Sequence, residues 1–244
     1  MQAAGQKNIV NLLRCAWAGS QKYGALVWSG DIVSSWSSYR NQLSAGLNMG
    51  LAGLPWWTTD IGGFHGGNPD DEAFRELFVR WFQWGAFCPV MRLHGDREPR
   101  QPQVGEGGGA ACCSGAANEV WSYGDDVYEI CKTYMNLRES MRDYTRKVME
   151  EAHLKGTPVM RPCFYDFPDD THCWEVEIQY MYGPKYLVCP VLSAGQRSME
   201  VYLPAGASWK AMNGGHVYVG GETIKVDCPI ETMPVFEKIS QETA

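Results

Sequence analysis

The sequence predicts an α/β domain followed by an all-β domain. Over residues 8–95, short apolar segments bounded by Gly and Ser alternate with segments of helical periodicity, which is the pattern of a parallel sheet covered by helices. Beyond residue 166, Gly and Pro separate short extended segments at the spacing of a β-sandwich or barrel. We therefore place the two domains at residues 1–165 and 166–244 of the 244-residue chain.

The first domain is predicted to alternate strands and helices. Its strands, each an apolar run with polar residues at its end, are expected at 8–16, 25–28, 54–57 and 88–95. Leucines in steps of four predict a helix over 39–53. For the next helix, Asn68 is the predicted N-cap and Pro69 the first helical residue, and the helix is expected to end near Phe87.

The remaining elements follow from periodicity and its absence. Residues 125–155 carry apolar side chains at three- and four-residue intervals, which predicts one long helix. Residues 96–118 have no periodicity and are predicted to be a long loop, in which the charged run 96–98 is expected to be a solvated surface. Five strands are expected in the second domain, at 186–189, 199–203, 216–219, 223–226 and 235–237.

Composition and charge exclude several functional classes. A formal charge of −7 and a pI of about 5.3 argue against nucleic acid and anionic membrane as partners. No apolar run reaches the roughly 20 residues of a transmembrane helix, and residues 1–20 lack the order of a signal peptide. We therefore expect a cytoplasmic protein, unless a truncated N-terminus has lost its signal peptide. Nine cysteines without a C-x-x-C pair indicate reduced thiols and no metal site.

Polar side chains stand at the ends of four predicted strands, and they form the candidate site. Arg14 ends the first strand, and the runs 28–31, 60–64 and 92–95 end the other three. In a parallel α/β barrel the carboxyl ends of the strands form the active face, because the loops converge there. The sequence therefore predicts that these four features point into one pocket.

The residue types in this pocket suit a sugar. Asp31 and Asp60 supply paired carboxylates, while Arg14 and His94 supply donors that can hold ring hydroxyls. Aromatic rings present a flat apolar face on which a sugar ring can stack. The stacking residues would be Trp28 and Phe64.

Several of these residues also have a purely structural interpretation. An Asp that follows a strand is often the N-cap of the next helix, and spacing alone favours that reading for Asp31 and Asp60. His94 is equally well explained as a buried histidine bonded to a carbonyl. Trp81 and Trp84 lie in a helical apolar stripe and are expected in the core.

Short motifs occur in a fixed order along nearly the whole chain. They are Trp-Ser-Gly-Asp at 28–31, Gly-Leu-Pro-Trp-Trp-Thr-Thr-Asp-Ile-Gly-Gly-Phe at 53–64, Arg-Trp-Phe-Gln at 80–83, Arg-Leu-His-Gly at 92–95, Asn-Glu-Val-Trp at 118–121, Met-Arg-Pro at 160–162, Cys-Pro-Val-Leu at 189–192 and Val-Tyr-Leu-Pro at 201–204. Together they resemble glycoside hydrolase family 31, which contains retaining α-glucosidases and α-xylosidases. The resemblance implies the later half of a TIM-type (β/α)8 barrel followed by a β-sandwich domain.

The resemblance also implies a role for each candidate residue. Asp31 matches the general acid/base of the family, and Arg14 matches an arginine that contacts the sugar where cleavage occurs. The positions lining that subsite are matched by Trp28, Asp60, Phe64 and His94. A pocket with walls of Trp28 and Trp57 is expected to favour the protonated acid by desolvation. Carboxylates suffice for double displacement, so no cofactor is implied.

One part of the family's machinery is missing from the sequence. The nucleophilic aspartate of the family lies upstream of the position matching Arg14, and residues 1–13 contain no Asp or Glu. We therefore expect a truncated reading of a longer α-glycosidase that acts on oligosaccharides or small α-glycosides and is inactive alone. The alternative is a non-catalytic carbohydrate-binding scaffold that retains half the sugar site.

Sugar choice and assembly stay open at this point. Where some relatives have an aromatic residue two positions after the acid, this sequence has Val33, which leaves glucose and xylose as alternatives. Half a barrel has open strand edges, which allow a homo-oligomer.

Overall fold

Three short parallel strands form the sheet of the first domain in the computed structural model, which describes residue 5 and residues 9–239. The strands are β1 (Asn11–Leu13), β2 (Ala25–Trp28) and β3 (Trp57–Thr58), which lie side by side in chain order. Helix α1 (Trp36–Leu51) connects β2 to β3, and α2 (Glu72–Gly85) follows β3. This is the strand and helix alternation that the sequence predicted.

Residues 88–95 form no strand, and that prediction is wrong. Pro89 has no amide hydrogen to give to a ladder, and β3 offers only a two-residue edge. The segment nevertheless runs beside β3, because the Val90 amide donates a hydrogen bond to the Trp57 carbonyl at 3.2 Å. Its polar end therefore still arrives at the carboxyl end of the sheet.

The start of α2 also differs from the prediction. Asn68 is not the N-cap, because its side chain accepts a hydrogen bond from the Asp70 amide at 2.9 Å in the turn before the helix. Asp71 is the cap, and its carboxylate accepts from the Ala73 amide at 3.0 Å. The helix therefore begins at Glu72, three residues later than expected.

The long loop contains a hairpin that the sequence analysis did not find. Strand β4 (Arg97–Gln101) pairs antiparallel with β5 (Ser114–Ala116). One residue of β4 is buried and four are exposed, so the strand has no apolar alternation for a pattern to detect.

The predicted helix over 125–155 is two helices. They are α3 (Asp125–Ser140) and α4 (Arg142–Lys155), and they meet at Met141. The Met141 side chain is 4% exposed, so the chain bends where it inserts an apolar side chain into the core.

Eight strands build the second domain. They are β6 (Met160–Pro162), β7 (Tyr180–Tyr182), β8 (Tyr186–Val188), β9 (Ser198–Leu203), β10 (Ser208–Ala211), β11 (Val217–Val219), β12 (Glu222–Asp227) and β13 (Val235–Ile239), with a short helix α5 (Cys163–Asp166) after β6. Six form one sheet in the order β11-β10-β13-β8-β7-β6, and β12 pairs with β9. All five strands predicted here are confirmed to within two residues. Strand β6 lies before the predicted boundary at 165–166, which stays a prediction.

The two domains share one hydrophobic core. Trp81 and Trp84 of α2 are 0% exposed, as predicted, and belong to the same cluster as Tyr180 and Tyr182 of β7. The Tyr180 hydroxyl donates to the Phe87 carbonyl at 2.8 Å, which ties β7 to the end of α2. None of the helices in the described part of the chain is long and apolar enough to span a membrane.

Candidate active site

The polar ends of the strands lie along one edge of the sheet. Arg14 follows β1 directly, Asp31 comes three residues after β2, and Asp60 comes two residues after β3. His94 lies near the end of the segment that runs beside β3. Because the strands are parallel, these side chains start from neighbouring points on the same face of the domain.

Asp31 is oriented by Arg14. The Arg14 guanidinium donates to Asp31 Oδ2 at 2.5 Å, and 29% of the Asp31 side chain is exposed. Helix α1 does not use Asp31 as its cap, since the Ser35 hydroxyl accepts the hydrogen bond of the Ser38 amide at 3.1 Å. The capping alternative is therefore wrong for Asp31, whose carboxyl group is both held in place and open to a ligand.

Asp60 is a buried carboxylate with one free oxygen. Its side chain is 0% exposed, Oδ1 accepts from Arg92, and Oδ2 has no partner among the described residues. Because Asp71 caps α2, the capping alternative is wrong here too. Burial raises the pKa of Asp60 above its ordinary value, while the charges of Arg92 and His94 act in the opposite direction. A buried acceptor without a partner costs free energy, so Oδ2 is suited to a ligand hydroxyl.

The Trp28 ring contacts two arginines of this cluster. The guanidinium carbons of Arg14 and Arg92 lie 5.5 Å and 5.7 Å from its ring centroid, which is cation–π distance. Arg14 also bonds Asp31 and Arg92 also bonds Asp60. Trp28 therefore links the partners of the two carboxylates into one group.

Phe64 and His94 complete the cluster. Their ring centroids are 5.4 Å apart, and His94 is exposed, so the buried-histidine alternative is wrong. The positive charge of His94 and the negative charge of Asp31 both act on the pKa of Asp60, although burial has the larger effect. The structure thus brings Arg14, Asp31, Asp60 and His94 together, as the sequence predicted.

Trp57 is not a wall of this site, and that expectation is wrong. Its side chain is 4% exposed and packs against α1, where its Nε1 lies 2.8 Å from the position that a Cβ on Gly46 would take. Successive side chains of a strand point to opposite faces, so Trp57 at this place in β3 faces the helix layer.

Two arginines beside the site are not identified by the sequence patterns. Arg92 lies in the motif 92–95, and its spacing of two from His94 is a usable signal, because it places both side chains on one side of an extended segment. Arg97 lies in the charged run 96–98 that was expected to be solvated. The expectation is wrong for Arg97, which is 0% exposed, whereas Glu98 of the same run is exposed. The burial of Arg97 depends on contacts with distant loops, which no local pattern reports.

Family models match most of the chain. The model described as the glycosyl hydrolases family 31 TIM-barrel domain matches residues 1–147, and the family 31 C-terminal domain model matches residues 156–240. The chain belongs to glycoside hydrolase family 31. The family resemblance and the predicted fold class, a portion of a TIM barrel followed by a C-terminal β domain, are therefore confirmed.

Several relatives of this family 31 chain are α-xylosidases. The alpha-xylosidase of Saccharolobus solfataricus is 36% identical over 230 residues, which are 94% of this chain and 29% of that protein. Alpha-xylosidase A of Aspergillus niger is 34% identical over 254 residues, covering 96% and 33%. A crystal structure of a family 31 α-xylosidase from a soil metagenome, complexed with xylose, is 58% identical with a TM-score of 0.94, covering 100% and 36%. The family 31 chain therefore spans about a third of the length of these relatives.

Proposed function

We propose that this chain supplies the acid/base side of the active site of a retaining α-glycosidase that acts on α-linked xylose. The observation that carries the proposal is the cluster in which Asp31, held by Arg14, stands beside the buried carboxylate of Asp60. Two carboxylates in unlike environments, one partly exposed and one buried, can take different roles in one reaction.

Asp31 is the proposed general acid/base. Its carboxylic acid donates a proton to the glycosidic oxygen as the bond to the sugar breaks, and its carboxylate then takes a proton from the water that attacks in the second step. Because Arg14 bonds Oδ2, the carboxyl group is fixed in orientation and Oδ1 is left for the proton transfer.

Asp60 is the proposed anchor for the sugar hydroxyls. Arg92 holds its Oδ1, and the unpaired Oδ2 is the acceptor for a hydroxyl of the sugar. His94 is close enough for its charge to act on Asp60, so it can donate to the same region of the ring. The rings of Trp28 and Phe64 supply apolar faces for the sugar.

The nucleophile is proposed to come from outside these residues. Double displacement needs a second carboxylate roughly 5–5.5 Å from the acid. Asp60 is assigned to binding because Arg92 holds its Oδ1, while its Oδ2 has no partner among the described residues and is left as an acceptor. Since residues 1–13 contain no Asp or Glu, we propose that other polypeptide supplies the nucleophile and that the 244-residue chain alone is inactive.

The outer edge of β1 supports this requirement. Among the described residues no strand pairs with that edge, and Val10, Leu12 and Trp17 are 59%, 44% and 83% exposed. Exposed apolar side chains at an unpaired edge attract further strands. A second copy related by a twofold axis would place β1 antiparallel to itself, so we propose further parallel barrel strands as the occupant rather than a homo-oligomer.

Xylose is proposed as the sugar on the evidence of the relatives. Proteins named α-xylosidases match across more than nine-tenths of the chain, and one of them was solved with xylose. Xylose lacks the exocyclic carbon of glucose, and Val33, at 60% exposure two residues after the acid, is small where a bulky residue would reshape that wall.

Complementation tests this function. The 244-residue chain is co-expressed with the part of the soil-metagenome α-xylosidase that precedes the matched segment, and hydrolysis of an aryl α-xyloside and an aryl α-glucoside is measured. We expect hydrolysis from the complemented pair, faster for the xyloside, and its loss in Asp31→Asn. Hydrolysis by the chain alone that Asp31→Asn abolishes would show that the nucleophile proposal is wrong.

A non-catalytic carbohydrate-binding scaffold is the second candidate. The partnerless oxygen of Asp60 favours it, because hydroxyl binding there needs no nucleophile. This candidate predicts that the chain alone binds xylose in a chemical-shift titration, that Asp60→Asn weakens the binding, and that the complemented pair has no activity.

A further inference from the structure

Arg97 is a fully buried guanidinium without a carboxylate partner among the described residues. It is 0% exposed at the start of β4, and its three nitrogens donate to neutral oxygens at 2.9–3.2 Å. The acceptors are Ser34 Oγ, Ile61 O, Gly63 O, Gly66 O, Asn118 Oδ1 and Tyr123 OH. A buried charge is tolerated only where its hydrogen bonds are made, so these acceptors are held to one arrangement.

Two of the acceptors adjoin the carboxylates of the site. Ile61, which Arg97 Nη2 holds at 2.9 Å, follows Asp60 directly in the chain. Ser34, which Nη1 holds at 3.2 Å, comes three residues after Asp31. One planar group therefore connects the loop after β2, which carries Asp31, to the loop after β3, which carries Asp60.

The aromatic side of the site is held by the same group. Gly63, whose carbonyl accepts from Arg97 Nη1 at 2.9 Å, precedes Phe64, and His94 lies three residues before Arg97. The Asp96 amide, next to Arg97 in the chain, also donates a hydrogen bond to the Phe64 carbonyl at 2.7 Å. The segment that carries Arg97 is therefore bonded to the loop after β3 through its backbone as well. Asp31, Asp60 and Phe64 therefore lie within three residues of an acceptor of Arg97 in the chain, and His94 lies within three residues of Arg97 itself.

Two glycines make room for the guanidinium. A Cβ on Gly95 would lie 2.7 Å from Arg97 Cζ, and a Cβ on Gly62 would lie 2.8 Å from its Nη2. Real Cβ atoms do not approach that closely, so any side chain at either position would push the guanidinium from its acceptors. The guanidinium of Arg97 can therefore occupy this position only because residues 62 and 95 are glycines.

We propose that Arg97 is a positioning residue, which sets the distance between Asp31 and Asp60 and thereby the affinity of the site for its sugar. The sugar named in this inference rests on the proposed function, whereas the spacing of the loops rests on the contacts of Arg97 alone. Arg97 does not touch the ligand, because all three of its guanidinium nitrogens already donate to protein oxygens.

Arg80 provides a matched control. It is also buried, at 1% exposure, and it too donates to neutral oxygens, among them the Cys228 and Thr232 carbonyls, both at 2.7 Å. Those carbonyls belong to the second domain and not to the loops of the site. The same substitution at both positions therefore removes a similar network, and only one of the two networks holds the carboxylates.

The experiment compares Arg97→Lys with Arg80→Lys in the purified 244-residue chain. A lysine ammonium has three donors on one nitrogen and cannot reproduce the fork of a guanidinium. We measure the melting temperature, the Kd for xylose and the hydrogen exchange of two backbone amides. The Phe64 amide donates to the Ile32 carbonyl and the Asp96 amide donates to the Phe64 carbonyl, both at 2.7 Å. We expect both variants to melt at lower temperature, and Arg97→Lys alone to show a Kd and exchange rates raised about tenfold.

Each result bears on the inference. Arg97→Lys with Kd and exchange within about twofold of the wild type would overturn it, as would an equal change in Arg80→Lys. If the wild-type chain alone binds no xylose, the carbohydrate-binding scaffold of the second candidate is wrong, and the exchange rates still decide the role of Arg97.

A milder variant serves if Arg97→Lys does not fold. Tyr123→Phe removes the hydroxyl that accepts from Arg97 Nε at 3.0 Å and keeps the ring that stacks on Phe78 with centroids 3.8 Å apart. Asn118 continues to accept from the same nitrogen at 2.9 Å. We expect a Kd and an exchange rate of the Phe64 amide raised about threefold, and unchanged values would overturn the inference.

Discussion

Two buried arginines hold two regions of this molecule in place by the same means and with different consequences. At the domain interface, Arg80 donates to the carbonyls of Gln196, Cys228 and Thr232, all in the second domain. Behind the site, Arg97 donates to the oxygens of the loops that follow β2 and β3. Neither has a carboxylate partner that accepts its hydrogen bonds among the described residues.

The difference between the two regions lies in what the acceptors carry. The carbonyls around Arg80 belong to segments without a candidate site residue, so that network contributes to stability. The acceptors around Arg97 are next to Asp60 and Phe64 in the chain, so that network also fixes the geometry of the site. Burial and hydrogen bonding do not by themselves distinguish the two roles. The two roles are distinguished by whether the acceptors belong to a segment that carries site residues.

The largest effect is expected when either guanidinium is removed. Arg80→Met and Arg97→Met leave several buried carbonyls without donors, and backbone carbonyls cannot be replaced by apolar groups of similar shape. We expect each variant to lose about 3–5 kcal/mol of unfolding free energy, measured by urea denaturation. A loss below about 1 kcal/mol at either position would show that water replaces the missing donors and that the arginine there does not hold its region in place.

A smaller effect is expected when Arg97 is displaced rather than removed. Gly95→Ala places a Cβ against its guanidinium, and we expect a loss of about 1–3 kcal/mol together with weaker xylose binding. The control is Gly46→Ala, whose Cβ would meet the Trp57 indole at 2.8 Å on the helix side of the sheet. We expect that variant to lose stability and to keep its Kd, and weaker binding there would contradict the distinction between the regions.

The site was predictable from the sequence where it depends on strand ends. Asp31 and Asp60 follow apolar runs, and parallel strands bring such residues to one edge whatever the loops do. Arg97 follows no such rule, because charged neighbours at 96 and 98 are typical of a solvated surface. Its burial comes from Ser34 and Ile61, which are 63 and 36 residues away in the chain.

The fold shows the same division. Helix α2 was found from its periodicity, but its start was misplaced, because Asn68 and Asp71 both have side chains that can cap and only three-dimensional contacts select one. The segment 88–95 has the composition of a strand and lies where a strand would lie. It forms no ladder because Pro89 lacks a donor and β3 is short.

A pH dependence of sugar binding is the next expected effect. Burial raises the pKa of Asp60, so its carboxylate takes up a proton at a higher pH than an exposed aspartate does, and the neutral acid is a poorer hydroxyl acceptor. We expect the Kd for xylose to rise about tenfold per pH unit below that pKa. The charges that act on Asp60 are those of Arg92, His94, Asp31 and Arg97.

The pH dependence of xylose binding is also expected to differ between variants of Arg97 and variants of Arg80. Asp60→Asn should bind xylose weakly and without the rise in Kd at low pH (the acid limb), as measured by titration between about pH 4 and 8. Arg97→Gln removes a positive charge that lowers the pKa of Asp60, so its acid limb should move to higher pH. Arg80→Gln should leave the limb where it is, and a shift there would contradict our assignment.

The smallest effect is expected at the exposed rim of the domain interface. Arg197 forms an ion pair with Glu76, and their side chains are 48% and 18% exposed. Solvent and salt screen such a pair, so Arg197→Ala should cost about 0.2–1 kcal/mol, measured by urea denaturation, and less at high salt. Glu76 keeps its bond from the Gly195 amide at 3.1 Å in the variant. A loss as large as that of Arg80→Met would mean that the interface depends on its rim and not on the buried guanidinium, and Arg80 would then no longer be the structural counterpart of Arg97.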